Sequence, residues 1–426
     1  MNGVEVGYPP DNPEIGMQRN RVVITGIGFL TAIGEDKDTL WNNVLNGVSG
    51  VREISKFDAT PCRTRIAATL DDFQPRHHFS ERAIGRLDRV AQYAIVAASK
   101  AFADAKLNPE QLERDRVGVI LGTSFGGIET TVQESGNFYL TGRFSPLTIP
   151  MAMNNAAAFE IATRFSLKGT NLTISTACSS SSNAIGLALN IVRSGQLDMV
   201  VAGGMDAGIV LGVFRAMDAL RVMSTSNENP VRACKPFSKN RDGIVFGEGS
   251  GVVICEELEH ALERGAPIYG ELVGYGTSCD AIHLTSPQVE EEAIAMRMAL
   301  ADARLAPEAI DYINAHGTAT LLNDPTETQA IKQVFGPQAY RISVNSSKPL
   351  LGHAQGASGV LELIVALLSM QSGIVHRTIN YEAPDEDCDL DYVIDGNRSV
   401  EINTFMSNSF GFGGNNAVLV VKHYEP

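Results

Sequence analysis

Short hydrophobic runs rich in Val and Ile alternate along the chain with longer segments rich in Ala. The runs VVITGIG (22–28) and VGVILGTS (117–124) are typical of buried strands. Ala-rich segments such as AFADAKLNPE (101–110) are typical of helices that pack on a sheet. The alternation predicts an α/β fold in which helices form layers on sheets.

The same order of segments occurs twice. AFADAKLNPE is matched by ALADARLAPE (299–308), and VVITGIG is matched by GELVGYG (270–276). A run that includes Cys178 and a run that includes His353 both read as strand, polar turn and helix. Two copies are too few for a solenoid. We therefore expect an N-terminal tail (1–20) and two halves (21–260 and 261–426) that face each other across a site.

Composition narrows the functional classes. The 426 residues carry a formal net charge of -15, which argues against nucleic acid or an anionic membrane as a partner. The longest aliphatic run, LELIVALLSM (361–370), has about half of the roughly 20 residues that cross a bilayer, so we expect a buried helix. Six scattered cysteines without a CxxC pair, and a start without an apolar signal core, favour the cytoplasm.

One cysteine has an unusual position. Cys178 lies in TISTACSSSSNAIG (173–186), where a β-rich run gives way to serines and then to an apolar helical stretch. In the first turn of a helix, free N–H groups would lower the pKa of the thiol and make it a nucleophile. The alternative is a small buried hydrophobic side chain, and this stretch alone does not decide between them.

Two histidines lie in glycine-bounded turns of the second half. His316 follows a strand in NAHGTAT, and His353 precedes the long apolar helix in KPLLGHAQGASG. A zinc site would show closer spacings such as CxxC or HxxxH, so we expect no metal. TGIGFLTAIG (25–34) has Thr31 in place of the third glycine of a dinucleotide fingerprint, and we expect a tight strand-to-loop turn there instead.

Four motifs in this order resemble one enzyme family. TACSSSSNAIG, NAHGTAT, SSKPLLGHAQGASG and NSFGFGGNN are similar to motifs of the β-ketoacyl-acyl-carrier-protein synthases, particularly the type II condensing enzymes of fatty-acid and polyketide assembly. The resemblance runs from about residue 21 to the end. It implies a thiolase-like fold of two related α/β halves in an αβαβα arrangement. It also implies decarboxylative condensation of an acyl group with malonyl-acyl carrier protein.

The resemblance assigns roles to individual residues. Cys178 would accept the acyl group, and His316 and His353 would assist decarboxylation of the malonyl thioester. The N–H groups of Cys178 and Phe412 would form an oxyanion hole. Lys348 would join the catalytic residues and form with Glu362 a salt-bridged pair that fixes the turn of His353, and Asp324 and Glu327 would extend this network. Phe410 or Phe412 would gate the acyl pocket, and Thr318 and Thr320 would hydrogen-bond the pantetheine arm. For Asp324, Glu327, Thr318 and Thr320 the alternative is a solvated loop.

The implied partner is an acyl carrier protein, which brings the phosphopantetheine itself, so no resident cofactor is expected. Carrier proteins of this family are acidic, and an acidic enzyme needs a basic docking surface. Arg82, Arg86 and Arg89 recur at helical spacing and predict one basic helix face, which Arg221 would extend, with Lys235, Lys239 and Arg241 nearby. A solvated surface is the alternative. The resemblance also implies a homodimer, or a heterodimer with a chain-length partner.

Departures from the family pattern concern the substrate. Phe125 stands where long-chain enzymes carry an aliphatic residue or glycine along the acyl tunnel, which predicts short or unusual acyl chains, including unsaturated or polyketide-like ones. Three other functions stay open: a degradative thiolase, a silent chain-length subunit and a carrier-binding module. A thiolase would carry a second cysteine near SFGFGGNN, and a silent subunit would lack Cys178.

Overall fold

A computed structural model describes residues 19–425. The expected N-terminal tail therefore lies, apart from its last two residues, outside the described part. The strands are β1 (Val22–Leu30), β2 (Val51–Glu53), β3 (Ile66–Ala68), β4 (Val117–Gly122), β5 (Asn171–Ile174), β6 (Met199–Asp206), β7 (Gly249–Glu257), β8 (Gly270–Cys279), β9 (Tyr312–Asn314), β10 (Ser343–Asn345), β11 (Ile374–Val375), β12 (Arg398–Ser399), β13 (Thr404–Gly411) and β14 (Asn415–Lys422).

The helices alternate with these strands, as the sequence pattern predicts. They are α1 (Lys37–Asn46), α2 (Glu81–Ile84), α3 (Arg89–Asp104), α4 (Ile128–Thr141), α5 (Thr148–Ala152), α6 (Ala156–Phe165), α7 (Ser180–Arg193), α8 (Leu211–Ala219), α9 (Leu258–Glu263), α10 (Val289–Ala303), α11 (Asn323–Phe335), α12 (Lys348–Leu351) and α13 (Ser358–Ser372). Short 3₁₀ turns precede α7 (Ala177–Ser179) and α13 (Gln355–Ala357).

The main sheet contains the duplication. Its ten strands run in the order β10-β9-β13-β14-β8-β1-β7-β6-β4-β5. From the central β1–β8 pair outward, each half has two antiparallel pairings followed by two parallel ones. The segments that repeat in sequence occupy equivalent places in the two halves. The chain passes from one half to the other between Glu257 and Gly270. The division into units 21–260 and 261–426 stays a prediction.

Helices form layers on both sides of the sheet. On one outer side α3 contacts β1 and β7, and on the other α10 contacts β8 and β14. Between the two halves, α7 and α13 contact each other, and each also contacts strands of both halves. The mixed α/β architecture predicted from the sequence is therefore confirmed.

The apolar run at 361–370 lies in the middle layer. Helix α13 is buried from Ser358 to Met370, as expected for a helix enclosed by two halves of a sheet. Within residues 19–425, no helix is both long enough and apolar enough to cross a bilayer. The cytoplasmic location stays a prediction.

Glycines inside β1 and β8 explain part of the repeat. Gly26 and Gly28 lie within β1, and the tight turn expected in this stretch follows the strand at Thr31 to Gly34, where the Thr31 N–H donates to the Gly34 carbonyl oxygen at 3.1 Å. A Cβ at Gly28 would come within 2.1 Å of a carbonyl oxygen in α3, and one at Gly276 within 2.0 Å of a carbonyl oxygen in α10. The matched glycines therefore let each outer helix approach its strand closely.

Candidate active site

Cys178 lies at a sharp strand-to-helix turn. After β5 the chain enters the turn Ala177–Ser179, in which Ala177 has a φ of 51°, and α7 then begins at Ser180. The cysteine thus lies in the middle of the 3₁₀ turn before α7 and outside the first turn of that helix. A positive φ at a residue other than glycine is strained and is often found at functional sites. The turn fixes Cys178 at the junction between the sheet and the middle helix layer.

The serines after the cysteine satisfy backbone groups and join the two halves. Ser180 Oγ donates to the Ala177 carbonyl oxygen at 2.6 Å and accepts from the Thr176 N–H at 2.9 Å. Ser181 Oγ accepts from the Val360 N–H of α13 at 3.0 Å, and Ser182 Oγ lies 2.8 Å from a serine hydroxyl of β13. The hydroxyl groups of Ser180, Ser181 and Ser182 are therefore buried hydrogen-bonding groups that stabilise the turn at Cys178 and its contacts with the second half.

The thiol is held in its neutral form. Burial raises the pKa of Cys178 to about 12, although the Lys348 ammonium and a hydrogen bond from the Phe412 N–H favour the thiolate. The expectation that this position lowers the thiol pKa is therefore wrong. Desolvation outweighs the Lys348 charge and the Phe412 hydrogen bond, because Cys178 is only 4% exposed.

His316 is held by carboxylate and ammonium groups. The backbone N–H groups of His316 and Gly317 each donate to a carboxylate oxygen of Glu327 at 2.8 Å. Lys348 Nζ lies 3.3 Å from His316 Nδ1 and also donates to the His316 carbonyl oxygen. Because an ammonium can only donate, Nδ1 accepts, and the neutral ring carries its proton on Nε2.

His353 reaches the same protonation pattern through different contacts. Its Nδ1 accepts from the Gln355 backbone N–H at 3.2 Å and lies 2.9 Å from Ser358 Oγ. The proton of the neutral ring is therefore again on Nε2. Burial lowers the pKa of both His353 and His316 well below the usual value, and the positive charge of Lys348 lowers both further.

A cavity of about 220 Å³ brings these groups together. The two histidine rings are 5.5 Å apart at an angle of 86°. Exposed leucines surround the opening: Leu284, Leu321 and Leu322 are 57–64% exposed. The residues that line the cavity include Cys178, His316, His353, Gln355, Phe410, Phe412, Thr318, Thr320 and Arg221.

Lys348 and Glu362 form a buried ion pair next to His316. Lys348 Nζ lies 2.6 Å from Glu362 Oε1, and the two side chains are 1% and 2% exposed. Burial raises the pKa of Glu362 to about 7, against the opposing effect of Lys348. The sequence predicts this pair, but the histidine that the lysine contacts is His316, whereas the pair was expected to fix the turn of His353.

The other expected network members are also buried. Asp324 and Glu327 are 0% exposed, which excludes the alternative that they are solvated loop residues. Burial raises the pKa of both carboxyl groups. Thr318 and Thr320 lie on the cavity wall with their hydroxyl groups 3.0 Å apart.

The aromatic residues named from the sequence occupy different places. Phe410 is buried against the His316 ring at 5.9 Å, and Phe412 lies on the cavity wall. A Cβ on the intervening Gly411 would come within 3.2 Å of the Cys178 nitrogen, so this backbone lies against the nucleophile. Phe125 packs in a hydrophobic cluster with Phe412 and is not among the residues that line the cavity.

The predicted basic helix face is wrong. Arg82 belongs to the four-residue helix α2, Arg86 lies in the following turn, and Arg89 begins α3 beside Glu129. A Gly and a Leu-Asp pair interrupt the helix between them, so the three guanidinium groups do not share one face. Arg221 is exposed at the cavity wall.

Of the neighbouring cations, Arg241 is only 6% exposed and pairs with Asp385, so it does not belong to a basic surface. Lys235 pairs with Glu382 at 3.2 Å, and Lys239 is exposed.

Sequence reasoning missed two residues of the site. Gln355, in the turn after His353, accepts from the Cys178 thiol at 3.9 Å. Asp206, at the end of β6, accepts from Gly356 N–H at 2.6 Å and from Ser124 N–H at 2.9 Å. A polar residue between histidine and glycine, and an acid at the end of an apolar strand, were the available signals.

Comparisons with known proteins agree with this geometry. The sequence profile "Beta-ketoacyl synthase, N-terminal domain" matches residues 19–261, and "Beta-ketoacyl synthase, C-terminal domain" matches residues 269–382. The chain belongs to the beta-ketoacyl synthase family. Among its relatives, 3-oxoacyl-[acyl-carrier-protein] synthase 2 of Synechocystis sp. is 41% identical over 96% of this chain and 99% of its own length. The Staphylococcus aureus protein of that name is 42% identical over the same shares.

Solved structures of synthases have the same fold. The ishigamide ketosynthase/chain length factor has a TM-score of 0.90 at 33% identity and covers 96% of this chain and 100% of its own. A ketosynthase complex with its type II acyl-carrier protein has a TM-score of 0.89 at 32% identity, with the same coverage. These neighbours confirm the thiolase-like fold that the four motifs imply.

Proposed function

We propose that this chain is a β-ketoacyl-acyl-carrier-protein synthase that condenses an acyl group with malonyl-acyl carrier protein. The observation that carries the proposal is a single cavity lined by Cys178, His316 and His353, with the Phe412 N–H directed at the sulfur. The names of the relatives support the same reaction. Fatty-acid elongation and type II polyketide assembly both use this chemistry.

In the first step, Cys178 Sγ attacks the carbonyl carbon of an acyl-phosphopantetheine thioester. A new C–S bond forms, the bond to the carrier sulfur breaks, and the proton of the cysteine leaves on the carrier thiol. The N–H groups of Cys178 and Phe412 stabilise the oxyanion of the tetrahedral intermediate. Covalent catalysis divides one difficult step into two easier ones.

In the second step, a malonyl thioester binds in the same cavity and loses its carboxylate as CO₂. The electron pair moves into an enolate, whose oxygen accepts hydrogen bonds from Nε2–H of His316 and His353. Neutral rings suit this task because each already carries a proton on Nε2 and can donate it in a hydrogen bond without taking up a second proton. The carbanion then attacks the acyl-cysteine carbonyl and expels Cys178 as a thiolate, which takes up a proton from water and returns to the resting thiol.

The test is to separate the two steps. Wild-type protein incubated with an acyl-carrier thioester should gain the acyl mass on Cys178, and Cys178→Ala should not. His316→Ala and His353→Ala should still acylate but lose malonyl decarboxylation. Because both histidine pKa values are lowered, decarboxylation should stay constant between about pH 6 and 8. Wild-type protein that takes up no acyl group would favour a carrier-binding module.

Carrier docking is proposed at the cavity opening. Arg221 is exposed there, and Arg82 and Arg86 are exposed cations of the same half. Opposite charges mainly increase association rates, and salt screens them. Arg221→Glu should therefore slow acylation from the carrier protein but not from a free pantetheine thioester, with a smaller effect at high salt. The matched control is Arg341→Glu on an exposed arginine outside the cavity; equal losses on both substrates would contradict docking.

We also propose that a second copy of the chain pairs along β5. This edge strand carries the exposed Leu172, and exposed Phe159 lies on the adjacent α6. Tyr139 and Leu140 on α4 are each 86% exposed, which is unusual for large apolar side chains of a monomer. Light scattering should give a dimer, and Leu172→Asp should weaken it. A monomer would favour a heterodimer with a chain-length partner instead.

A further inference from the structure

Gln355 is the polar side chain in contact with the reacting sulfur. Its Oε1 lies 3.9 Å from Cys178 Sγ, and its Nε2 donates to the His353 carbonyl oxygen at 3.4 Å. Because that carbonyl can only accept, the carboxamide is oriented with its oxygen toward the thiol. Gln355 is 4% exposed and lies on the cavity wall beside the sulfur.

The backbone around Gln355 fixes the direction of its side chain. Gln355 has a φ of 53°, a strained value for a residue with a side chain. Its N–H donates to His353 Nδ1 at 3.2 Å, and the next N–H, of Gly356, donates to Asp206 at 2.6 Å. The hydrogen bonds of Gln355 and Gly356 thus hold the strained backbone of Gln355 in place, as is typical of functional sites.

Acylation removes the hydrogen-bond partner of this carboxamide. The resting thiol donates to Oε1, but a thioester sulfur carries no hydrogen. The acyl group takes the place of that hydrogen, so its first carbons run beside the carboxamide. A saturated chain leaves the buried Oε1 without a donor, whereas Nε2 keeps its bond to the His353 carbonyl oxygen. A hydroxyl group on the β-carbon supplies a donor to Oε1. A keto group does not, because rotating the amide to offer Nε2–H would place Oε1 against the His353 carbonyl oxygen.

We infer that Gln355 determines acyl specificity and favours acyl groups that carry a hydroxyl group on the β-carbon over saturated and 3-oxo chains of equal length. The inference rests on the proposed function, because it concerns the acyl group that Cys178 accepts. A site built to pair with a polar group rejects the analogue that lacks it more strongly than an apolar pocket rejects an added group. The substrate class is therefore 3-hydroxyacyl thioesters, which a reduction of 3-oxoacyl thioesters without loss of water supplies.

The test compares acylation of Cys178 by three free pantetheine thioesters of the same length: butyryl, 3-hydroxybutyryl and 3-oxobutyryl. Intact mass followed over time gives kcat/KM for each without a carrier protein. The variant is Gln355→Met, which keeps the length of the side chain but cannot hydrogen-bond through an amide. Gln355→Leu is a second variant, and the matched control is Gln133→Met on the exposed surface of α4.

Wild type and the Gln133→Met control should favour the 3-hydroxybutyryl thioester over butyryl and 3-oxobutyryl by about tenfold to a hundredfold. Gln355→Met, or Gln355→Leu if the first variant does not fold, should reduce this ratio to about one and accept butyryl at least as fast as wild type. Equal rates for the three thioesters in wild type, or an unchanged ratio in the Gln355 variants, would overturn the inference alone. Absence of acylation by every thioester and by acyl-carrier protein would overturn the proposed function as well.

Discussion

The raised pKa of Cys178 predicts how the resting enzyme reacts with alkylating reagents. The ordinary pKa of 9.0 rises to about 12, mainly through burial. Since one pKa unit corresponds to about 1.4 kcal/mol, the protein disfavours the thiolate by roughly 4 kcal/mol. At pH 8 only about one thiol in ten thousand is then ionised, against roughly one in ten for an ordinary thiol.

Iodoacetamide should therefore alkylate Cys178 about a thousandfold more slowly at pH 8 than an ordinary exposed thiol. The rate should rise about tenfold per pH unit up to at least pH 10, because only the thiolate reacts. The assay is intact mass over time in a Cys279→Ser background, since Cys279 is exposed and the other cysteines are buried. The double variant with Cys178→Ala gives the blank.

A rate that levels off below pH 9 would refute this reasoning. It would mean that the dipoles of the turn and the Lys348 charge outweigh desolvation. Circular dichroism at each pH serves as the control, because partial unfolding at high pH would expose the sulfur and imitate the expected rise.

Four further single substitutions test the fold and the site. Lys348→Ala should lower the free energy of unfolding by about 3–5 kcal/mol, because Glu362 stays buried without its cation. Denaturant titration measures this, and the double replacement by Met and Leu should recover stability but not condensation. Gly28→Ala should cost about 1–3 kcal/mol or more, because its Cβ would come within 2.1 Å of a backbone oxygen of α3. Gly136→Ala, whose Cβ meets nothing within 4 Å, should gain about 0.5–1 kcal/mol. Phe125 does not line the cavity but packs in a cluster with Phe412, which does, so Phe125→Gly should lengthen the accepted acyl chain by loosening that cluster; an unchanged chain-length preference would contradict this prediction.

Much of the architecture could be predicted from local pattern because the chain repeats it. The matched runs around Gly28 and Gly276 predicted equivalent strands, and both occupy the centre of the sheet. The residues with a marked sequence context, such as Cys178, His316 and His353, are the ones that the structure brings to one cavity. These patterns involve residues that are close in the sequence, so they can be recognised without knowledge of the tertiary structure.

The features that could not be predicted are the end of helix α2, the thiol pKa and the partners of Gln355 and Asp206. They depend on exclusion of solvent and on contacts between segments that are distant in the sequence. Helical spacing predicted one face for Arg82 and Arg89, but it could not show that the helix stops between them. The thiol pKa was predicted in the wrong direction because burial by the second half is invisible in the sequence around Cys178. Gln355 and Asp206 acquire their partners only when the two halves pack.

The two 3₁₀ turns also explain why the enzyme has one reactive sulfur although its fold is doubled. Gly356 occupies, in the turn before α13, the position that Cys178 has in the turn before α7. A Cβ at Gly356 would lie 2.6 Å from the Ser124 nitrogen and 2.8 Å from a carboxylate oxygen of Asp206. Any side chain at Gly356 would therefore break the hydrogen bond from its N–H to Asp206, which joins the two halves. A second cysteine at the equivalent position is excluded for this reason, and the repeat carries a nucleophile in one half alone.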